Sequence, residues 1–431
     1  MSLTVTRYNE GEALAMEAQP NRITEACRPE LFLKAGYPVE VKTEAGLIRF
    51  ADVMHENRDP IDYKDLLHGF TAEEFDLFKE VTAKVGEFTE SRFGRKVLPK
   101  GALTRAMLSY RHIRWLAEPG SAVFEIGPGS GYLGALLATA GYRYGASDIT
   151  QGFYLYQSHL WEYMFGDRLI ELAGNDLAFT GTGDLPSGAV LHVPWWKYTV
   201  VQPEAVTTPI DVFIANHALC EMNLYSMCYT IKLSRQMLSA SEKYGYFFIE
   251  GTGGEMLRSR AATFHYFDQN KFTQVFEDGG LIDVLVPEER ASRLFLPKEE
   301  ASAGVPASQP APQNTAAKIR RRVGVIRGKI ANHGGVIPVA IKVARRLLSK
   351  TSTQPNLVEL LHAVNTQAEA PRPDETVVHR QITDGRAWAA RQPKVEFEDV
   401  RKFQRALMPN GDVRSDDERF FQYVFGTSFY S

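Results

Sequence analysis

A glycine-rich stretch in the middle of the chain, Glu125-Ile-Gly-Pro-Gly-Ser-Gly131, has the residue types and spacing of a ligand-binding turn. It follows an apolar run that predicts a β-strand and precedes a run that predicts an α-helix, which is the context in which such turns bind ligands. Glycine permits positive φ angles and a close approach of the backbone, and the helix N-terminus offers unpaired N–H donors. Gly127, Gly129 and Gly131 are therefore candidate binding residues.

An acidic residue, Asp148, ends the next predicted strand, seventeen residues after Gly131. At this place a carboxylate can accept hydrogen bonds from both hydroxyls of a ribose. We therefore expect the ligand to contain a nucleoside.

Two classes of such ligand compete for the turn. Gly129-x-Gly131-x-x-Gly134 formally matches the dinucleotide fingerprint. Glu125, however, lies in a strand that should be buried on both faces, where a carboxylate is costly unless it meets donors or a cation. S-adenosylmethionine carries an ammonium and a sulfonium and no phosphate, whereas a pyrophosphate would be repelled by Glu125. The pattern favours S-adenosylmethionine over a nucleotide; a turn whose glycines only permit packing is the remaining alternative.

These residues, with the strand order given below, resemble the class I S-adenosylmethionine-dependent methyltransferases over about residues 100–300. The resemblance implies a Rossmann-like fold in which the glycine turn wraps the methionine part, the acid after strand two binds ribose, and residues after strand three flank adenine. By position, the implied cofactor-binding residues are Glu125, Gly127, Gly129, Gly131, Asp148, and Asn175 or Asp176.

A second polar cluster, Asn216-His-Ala-Leu-Cys-Glu-Met-Asn223, follows the fourth predicted strand. His217 offers a base near neutral pH that could take the proton of an attacking hydroxyl; helix capping and metal binding are the alternatives. Glu221 would share a helical face with His217 if a helix starts at once, and could then orient the imidazole or bind a cation with it. We assign no metal because no third ligand can be named.

Further candidates lie around the same predicted edge of the sheet. Glu250 ends strand five and is a catalytic candidate or a salt-bridge partner. Asn216 could bind the cofactor or substrate hydroxyls, and Asn223 could bind substrate. Trp195 and Trp196 could stack on a sugar ring, with packing under a loop as the alternative. His265 is the least supported substrate-binding candidate.

The block from Asn216 to Asn223 also resembles sugar O-methyltransferases of bacterial surface-polysaccharide synthesis, which implies a sugar hydroxyl as methyl acceptor. The Asn-Pro-Pro-Tyr tetrad of amino-methylating members is not matched, which favours another acceptor. The predicted function is thus S-adenosylmethionine-dependent O-methylation of a glycan or glycosylated metabolite. The alternatives are a natural-product methyltransferase and a nucleotide-binding oxidoreductase.

The elements that must position these residues alternate between strand and helix from Ser121 onward, which predicts an α/β, doubly wound parallel sheet of seven strands. Two apolar runs, 281–286 and 293–296, are too close for a parallel crossover and predict a terminal antiparallel hairpin. Thr71-Ala-Glu-Glu74 is a capping-box pattern that opens an amphipathic helix.

Composition places the chain in an ordinary globular class, with net charge −3, three cysteines and no long apolar stretch. These values predict a cytoplasmic protein without a disulfide framework or a nucleic-acid partner. We divide the chain into a helical region (1–100), a methyltransferase domain (101–300), an Ala/Pro-rich linker (301–317) and a basic, helical extension (318–431). Residues 318–350 suggest peripheral membrane contact, with a solvated helical pair as the alternative.

Overall fold

The computed structural model describes residues 3–18, 39–52, 65–66, 69–201, 205–219, 221–251, 260–278, 282–291, 293–294, 376–396 and 399. The predicted linker 301–317 and the basic segment 318–350 lie outside these residues. The chain divides into two units, residues 1–295 with 373–431 and residues 296–372, and all described residues belong to the first. None of the helices in the described part is long and apolar enough to cross a membrane.

An eight-stranded sheet has the order β3-β4-β2-β1-β5-β6-β8-β7. The first six strands run parallel, and β8 pairs antiparallel with both β6 and β7. The strands are β1 (Ala122–Ile126), β2 (Arg143–Asp148), β3 (Leu169–Glu171), β4 (Val190–Pro194), β5 (Val212–Ile214), β6 (Tyr246–Glu250), β7 (Phe272–Asp278) and β8 (Ile282–Pro287). This architecture confirms the predicted α/β, doubly wound Rossmann-like sheet with a C-terminal antiparallel hairpin, but the sheet has eight strands where seven were predicted.

Helices cover both faces of the sheet. They are α1 (Val5–Ala18), α2 (Ala72–Phe93), α3 (Lys100–Leu116), α4 (Tyr132–Thr139), α5 (Gln151–Phe165), α6 (Trp195–Tyr198), α7 (Leu224–Ser239), α8 (Arg260–Gln269), α9 (Glu288–Ala291) and α10 (Val377–Arg391). Short 3₁₀ helices span Glu44–Asp52, Gly166–Arg168 and Leu172–Gly174.

Alternate residues of each central strand enter two separate cores, because successive side chains of a strand point to opposite faces. In β1, Val123 packs with the helices α2 to α5, whereas Phe124 packs with α7 and α8. Burial on both faces explains why these strands are continuous apolar runs, and why the carboxylate of Glu125 within β1 is unusual.

The third strand of the predicted sheet is in a different place. The run at 169–173 forms only the short edge strand β3, and β4 lies between it and β2, with Asp148 opposite Pro194. No strand is predicted at 190–194 from the sequence, where His192 and Pro194 stand within the apolar run. His192 is tolerated there because Glu171 of the edge strand pairs with it.

The hairpin is confirmed, but one of its strands was assigned wrongly. Residues 282–287 pair with β7, at 272–278, whereas Arg293 and Leu294 of the predicted second run form a turn. A register shift between Gln274 and Phe276 disturbs the alternation of β7. Such a bulge hides the period of two by which a strand is recognised in a sequence.

Candidate functional site

A cavity of about 970 Å³, counted to its open mouth, lies at the carboxyl end of the parallel strands. Ligands in doubly wound folds bind at this edge, next to the point where the strand order reverses. The cavity is lined by Ile126, Gly127, Gly129, Ser147, Asp148, Ile149, Thr150, Phe153, Trp195, Tyr198, Thr199, Asn216, His217, Ala218, Glu221, Met222, Asn223, Ser226, Tyr229 and Thr230. Most of the predicted site residues are therefore brought together here.

The glycine turn connects β1 to α4 with φ angles of 66°, 57° and 76° at Gly127, Gly129 and Gly131. A Cβ at Gly127 would stand 2.8 Å from the Cβ of Ala218, so the turn is closely packed against the loop after β5. A Cβ at Gly129, by contrast, would meet nothing within 4 Å. The turn thus presents its backbone to the cavity at Gly129.

Asp148 is 4% exposed and lines the cavity at the end of β2. Its Oδ1 accepts the Thr150 N–H (2.8 Å) and its Oδ2 accepts the Gln157 amide (3.1 Å). Burial raises the pKa of Asp148 to about 6, although these hydrogen bonds oppose the shift. The carboxylate is thus held in one orientation.

Glu125 is 3% exposed beneath the turn, and its Oε2 accepts the hydroxyl proton of Tyr144 (2.6 Å). Burial raises the pKa of Glu125 to about 8, and the nearby Asp148 and Glu250 carboxylates add to the shift. Three buried acids therefore surround the turn, which creates an environment that favours a positively charged ligand.

The end of β5 carries a hydrogen-bonded polar cluster. Asn216 donates to Ser109 Oγ (3.1 Å) and accepts the Glu250 N–H (3.1 Å), and Ser109 donates to the Glu250 carboxylate. His217 Nε2 lies 4.0 Å from Glu250 Oε1. Ser109, on α3, was not found by sequence analysis because it is more than a hundred residues from its partners.

His217 adopts φ = 55°, which is uncommon for a residue other than glycine. Its N–H donates to the Glu250 carbonyl oxygen (2.8 Å), and a Cβ at Gly251 would come within 1.9 Å of the imidazole. The backbone around His217 is thus shaped to place this ring between α3 and the cavity. Positions of this kind concentrate at functional sites.

The expectation that His217 and Glu221 share a helical face is not met. Residues 216–219 form a turn, and α7 begins only at Leu224 with Asn223 as its N-cap. Asn223 Oδ1 accepts the Ser226 N–H (3.0 Å), so this predicted substrate ligand also caps the helix. Glu221 lines the cavity separately.

The two predicted tryptophans have different positions. Trp195 lines the cavity, and its indole N–H donates to Glu12 Oε1 (2.8 Å). Trp196 does not line it and packs edge-on against Tyr8, with ring centroids 4.8 Å apart. Of these two tryptophans, Trp195 is thus the one that is placed to contact a ligand in this cavity.

Besides Trp196, three further predicted site residues lie away from the cavity. Asn175 and Asp176 are exposed after the edge strand β3, and Asn175 bonds within its own loop, to Glu171 and Leu177. They follow from placing strand three at 169–173, whereas the strand beside β2 is β4, which Trp195 follows. His265 is exposed on α8, where its Nε2 bonds to Gln269.

A stripe along α5 supports the glycine turn and was not recognised in the sequence. Gln157 donates to the Gly129 carbonyl oxygen, and Trp161 donates to that of Gly131 (3.1 Å). Tyr154, Gln157, Ser158 and Trp161 follow one another at helical spacing. Two polar residues on the buried side of an apolar helix were the available signal.

A second cavity, of about 720 Å³ to its mouth, lies on the other side of the turn. It shares Gly127, Gly129, Asn216 and His217 with the first and is lined by Glu125, Glu250 and, from α3, Arg105 and Ser109. His217 and Asn216 thus form a common wall between two spaces.

The lining of the first cavity contains no lysine or arginine among the described residues, while Asp148 and Glu221 contribute carboxylates. Elsewhere in the described ranges, no group of three His, Cys, Asp or Glu side chains is arranged to hold a metal ion. The arrangement can bind a nucleoside through Asp148 and a positive charge through the surrounding acids.

The sequence matches no protein-family model and no curated protein. Solved structures similar to this chain include a TehB-like S-adenosylmethionine-dependent methyltransferase from Corynebacterium glutamicum, with 12% identity, 43% of this chain and 87% of that chain covered, and a TM-score of 0.30. Magnesium protoporphyrin IX methyltransferase from Synechocystis PCC 6803, with bound S-adenosylmethionine, has 13% identity, 54% and 98% coverage, and a TM-score of 0.28.

The [4+2]-cyclase SpnF is also similar, with 12% identity, 47% of this chain and 72% of that chain covered, and a TM-score of 0.28. Identities this low identify neither a cofactor nor a substrate for this chain. The residues of the site must therefore carry the functional argument.

Proposed function

We propose that this protein is an S-adenosylmethionine-dependent O-methyltransferase whose acceptor is the hydroxyl of a sugar or of another small molecule. The observation that carries the proposal is one cavity that combines the glycine turn after β1 with the buried acid at the end of β2. The described residues that line this cavity include no lysine or arginine. S-adenosylmethionine, when bound, would supply an activated methyl group on a positively charged sulfur.

The charge of the site distinguishes this ligand from a dinucleotide. Glu125 and Asp148 both have raised pKa values because burial disfavours their charged forms. A cationic ligand would lower that cost, whereas a pyrophosphate would bring two negative charges to the same turn. The geometry therefore supports a sulfonium ligand over a nicotinamide cofactor.

Within this proposal, Asp148 accepts the ribose hydroxyls and the backbone around Gly129 contacts the rest of the cofactor. With β4 beside β2, the adenine-flanking position falls near Trp195, in place of Asn175 or Asp176. Ile149 and Phe153 line the same end of the cavity and add apolar surface for the base.

His217 is the proposed general base. It lies on the wall shared by the two cavities, so its imidazole can reach an acceptor hydroxyl bound beside the cofactor. The imidazole takes the proton of the attacking hydroxyl, and the Glu250 carboxylate at 4.0 Å favours the resulting imidazolium. Ser109 and Asn216 hold Glu250 in place for this role.

Support for a sugar acceptor comes from the resemblance of residues 216–223 and from the mixed lining of the site. Aromatic rings of Tyr198 and Tyr229 line the cavity together with the amides of Asn216 and Asn223. Rings that pack against C–H groups and amides that bond to hydroxyls suit a polyhydroxylated ring.

Binding of S-adenosylmethionine, S-adenosylhomocysteine and NAD by titration calorimetry tests the cofactor assignment. We expect the first two to bind and NAD to bind far more weakly. Tight binding of NAD with no binding of S-adenosylmethionine would refute the proposal and support the oxidoreductase alternative.

Transfer of a labelled methyl group to nucleotide sugars, glycans and small hydroxylated metabolites tests the acceptor. Once an acceptor is found, His217→Ala should lower kcat by about 10²–10⁴-fold with little change in S-adenosylmethionine affinity. His265→Ala is the matched control, because that histidine is exposed outside the cavity and its loss should leave kcat unchanged. A fully active His217→Ala variant would show that another group is the base.

A further inference from the structure

A chain of buried hydrogen bonds links the edge of the sheet to the glycine turn. His192 Nδ1 lies 2.9 Å from Glu171 Oε2, and its Nε2 lies 3.0 Å from Gln157 Oε1. The amide nitrogen of Gln157 lies 3.1 Å from Asp148 Oδ2 and also bonds to the carbonyl oxygen of Gly129. One line of contacts thus runs from β3 through β4 to α5 and ends at two groups of the ligand cavity, the Gly129 carbonyl and the Asp148 carboxylate.

The direction of the bonds at Gln157 follows from its partners. A carbonyl oxygen can only accept a hydrogen bond, so the group that Gln157 presents to Gly129 must be its NH₂. The amide oxygen of Gln157 therefore faces His192. Because that oxygen can only accept, Nε2 of His192 carries a proton and donates.

The other end of the chain fixes the second ring nitrogen. Glu171 Oε2 accepts the hydroxyl proton of Ser158 (2.6 Å), and its Oε1 accepts the Ala173 N–H (2.9 Å) and the hydroxyl proton of Tyr154. Burial alone would raise the pKa of Glu171, but His192 and these donors reverse the effect and lower it. Glu171 is thus held in place by several donors, and His192 bridges it to the Gln157 amide.

His192 and Gln157 are both fully buried, and the imidazole is held on two sides. The ring of Tyr154 stacks on it with centroids 3.6 Å apart and an interplanar angle of 11°. Trp161 meets it edge-on at 4.8 Å. Burying a histidine and a carboxylate costs desolvation energy even when the two are hydrogen-bonded to each other. Packing alone therefore gives no reason for these two side chains at this place.

We propose that Gln157 is a positioning residue for the cofactor site, and that the hydrogen-bonded pair of His192 and Glu171 fixes its amide so that Asp148 and the Gly129 carbonyl stay in their binding geometry. This inference rests on the proposed function, because Asp148 is the group that would meet the cofactor ribose. With Thr150 on one carboxylate oxygen and Gln157 on the other, Asp148 cannot rotate without losing a bond.

The first test is the affinity for S-adenosylhomocysteine in titration calorimetry, which needs no methyl acceptor. Gln157→Leu keeps the side-chain size and removes the amide, and should weaken binding about tenfold, because the Asp148 carboxylate and the Gly129 carbonyl lose their common donor. In an Asp148→Ala background the same substitution should cost clearly less, because part of its effect passes through Asp148.

Variants at His192 separate positioning from packing. His192→Gln keeps an N–H donor near the place of Nε2 and should retain most of the affinity, whereas His192→Leu should lose about as much as Gln157→Leu. His112→Leu is the matched control. His112 is also fully buried, contacts the Asp65 carboxylate at 2.8 Å and packs against Trp115, but it does not line either cavity. Its loss should lower stability without changing affinity.

These experiments distinguish a failure of the proposed function from a failure of the positioning role alone. If the wild-type protein binds neither S-adenosylmethionine nor S-adenosylhomocysteine, the proposed function fails and this inference with it. If the wild type binds and folded Gln157→Leu binds equally well, or its cost is fully additive with that of Asp148→Ala, only the positioning role is overturned.

Should Gln157→Leu fail to fold, ¹⁵N NMR of the wild-type imidazole decides, with the His192→Gln spectrum used for assignment. A proton on Nε2 of His192 at neutral pH supports the inference. A neutral ring with its proton on Nδ1 alone lacks the bond to Gln157 and overturns it.

Discussion

Glu125 and Asp148 are both buried acids beside the glycine turn, but their partners differ. Asp148 is held by Thr150 and Gln157 at the cavity wall, whereas Glu125 accepts a hydroxyl from Tyr144 below the turn. Asp148 therefore has the geometry of an oriented hydrogen-bond acceptor for a bound molecule. Glu125 is placed to balance the positive charge of such a molecule. Substitutions at the two positions should accordingly affect binding in different ways.

Asp148→Ala should weaken S-adenosylmethionine binding by about 1–3 kcal/mol, because the ribose loses a charged acceptor. Isothermal titration calorimetry measures the loss. Asp211→Ala is the matched control: this buried acid bonds to Ala122 and Ser241 at the opposite end of β5. It should lower stability and leave affinity intact, and unchanged affinity in Asp148→Ala would refute the ribose role.

Glu125 makes the affinity for a cation depend on pH. The free protein holds Glu125 mostly protonated below its pKa of about 8, and a cation binds best to the ionised form. Affinity for S-adenosylmethionine should therefore rise as pH increases toward about 8, with Asp148 adding to the rise near its pKa of about 6. Proton release on binding, measured by calorimetry in buffers of different ionisation enthalpy, checks the sign.

Glu125→Gln should remove the upper part of that pH dependence and weaken binding at pH 8. The folded pKa of Glu125 lies above its unfolded value, so its contribution to stability is present at low pH and is lost as pH rises through about 8. Without ligand, Glu125→Gln should thus be more stable than wild type above that pH, by about 1–3 kcal/mol. A less stable variant at high pH would contradict the burial argument.

Among the helices, α2 shows how a local signal and a tertiary contact share one residue. Thr71 Oγ1 accepts the Glu74 N–H (3.3 Å), and Glu74 Oε2 accepts the Thr71 N–H (2.9 Å), which completes the predicted capping box. The same carboxylate also binds Arg111 of α3 at 2.6 Å. Burial alone would raise the pKa of Glu74, but the bonds from Arg111 lower it.

Glu74→Gln should therefore cost more than Thr71→Ala in urea unfolding. Loss of the cap alone costs about 1 kcal/mol, whereas removal of one charge from a buried pair costs about 3–5 kcal/mol. Asp76→Asn is the control, since its ion pair with Lys79 is exposed and should contribute under about 1 kcal/mol. Equal effects at Thr71 and Glu74 would show that the buried pair adds nothing.

At the scale of the whole molecule, α10 is far from α3 and β7 in the sequence but packs against both. Its Arg386 donates two bonds to Asp65 (both 2.9 Å) and contacts Asp278 of β7. Asp65 also meets His112 of α3 at 2.8 Å. This cluster joins segments more than three hundred residues apart in the sequence.

Arg386→Ala should lower the free energy of unfolding by about 3 kcal/mol, because it leaves two partly buried carboxylates without their cation. Chemical denaturation followed by circular dichroism measures this. Arg391→Ala, at an exposed position on the same helix, should change it by less than about 0.5 kcal/mol. An effect of Arg386→Ala no larger than that of the control would mean that α10 does not stabilise the sheet domain.

The amino-acid sequence by itself was enough to predict the alternation of strands and helices, the glycine turn, the position of Asp148 at the end of β2 and the capping box at Thr71. Each of these features depends on residues that are neighbours in the chain or one element apart, so a short stretch of sequence contains its physical cause. Strand order, the partner of β8 and the start of α7 at Leu224 required the tertiary structure. So did the chain from Glu171 through His192 and Gln157 to Asp148. These features arise from contacts between distant segments, where a buried polar group is acceptable only because another element supplies its partner.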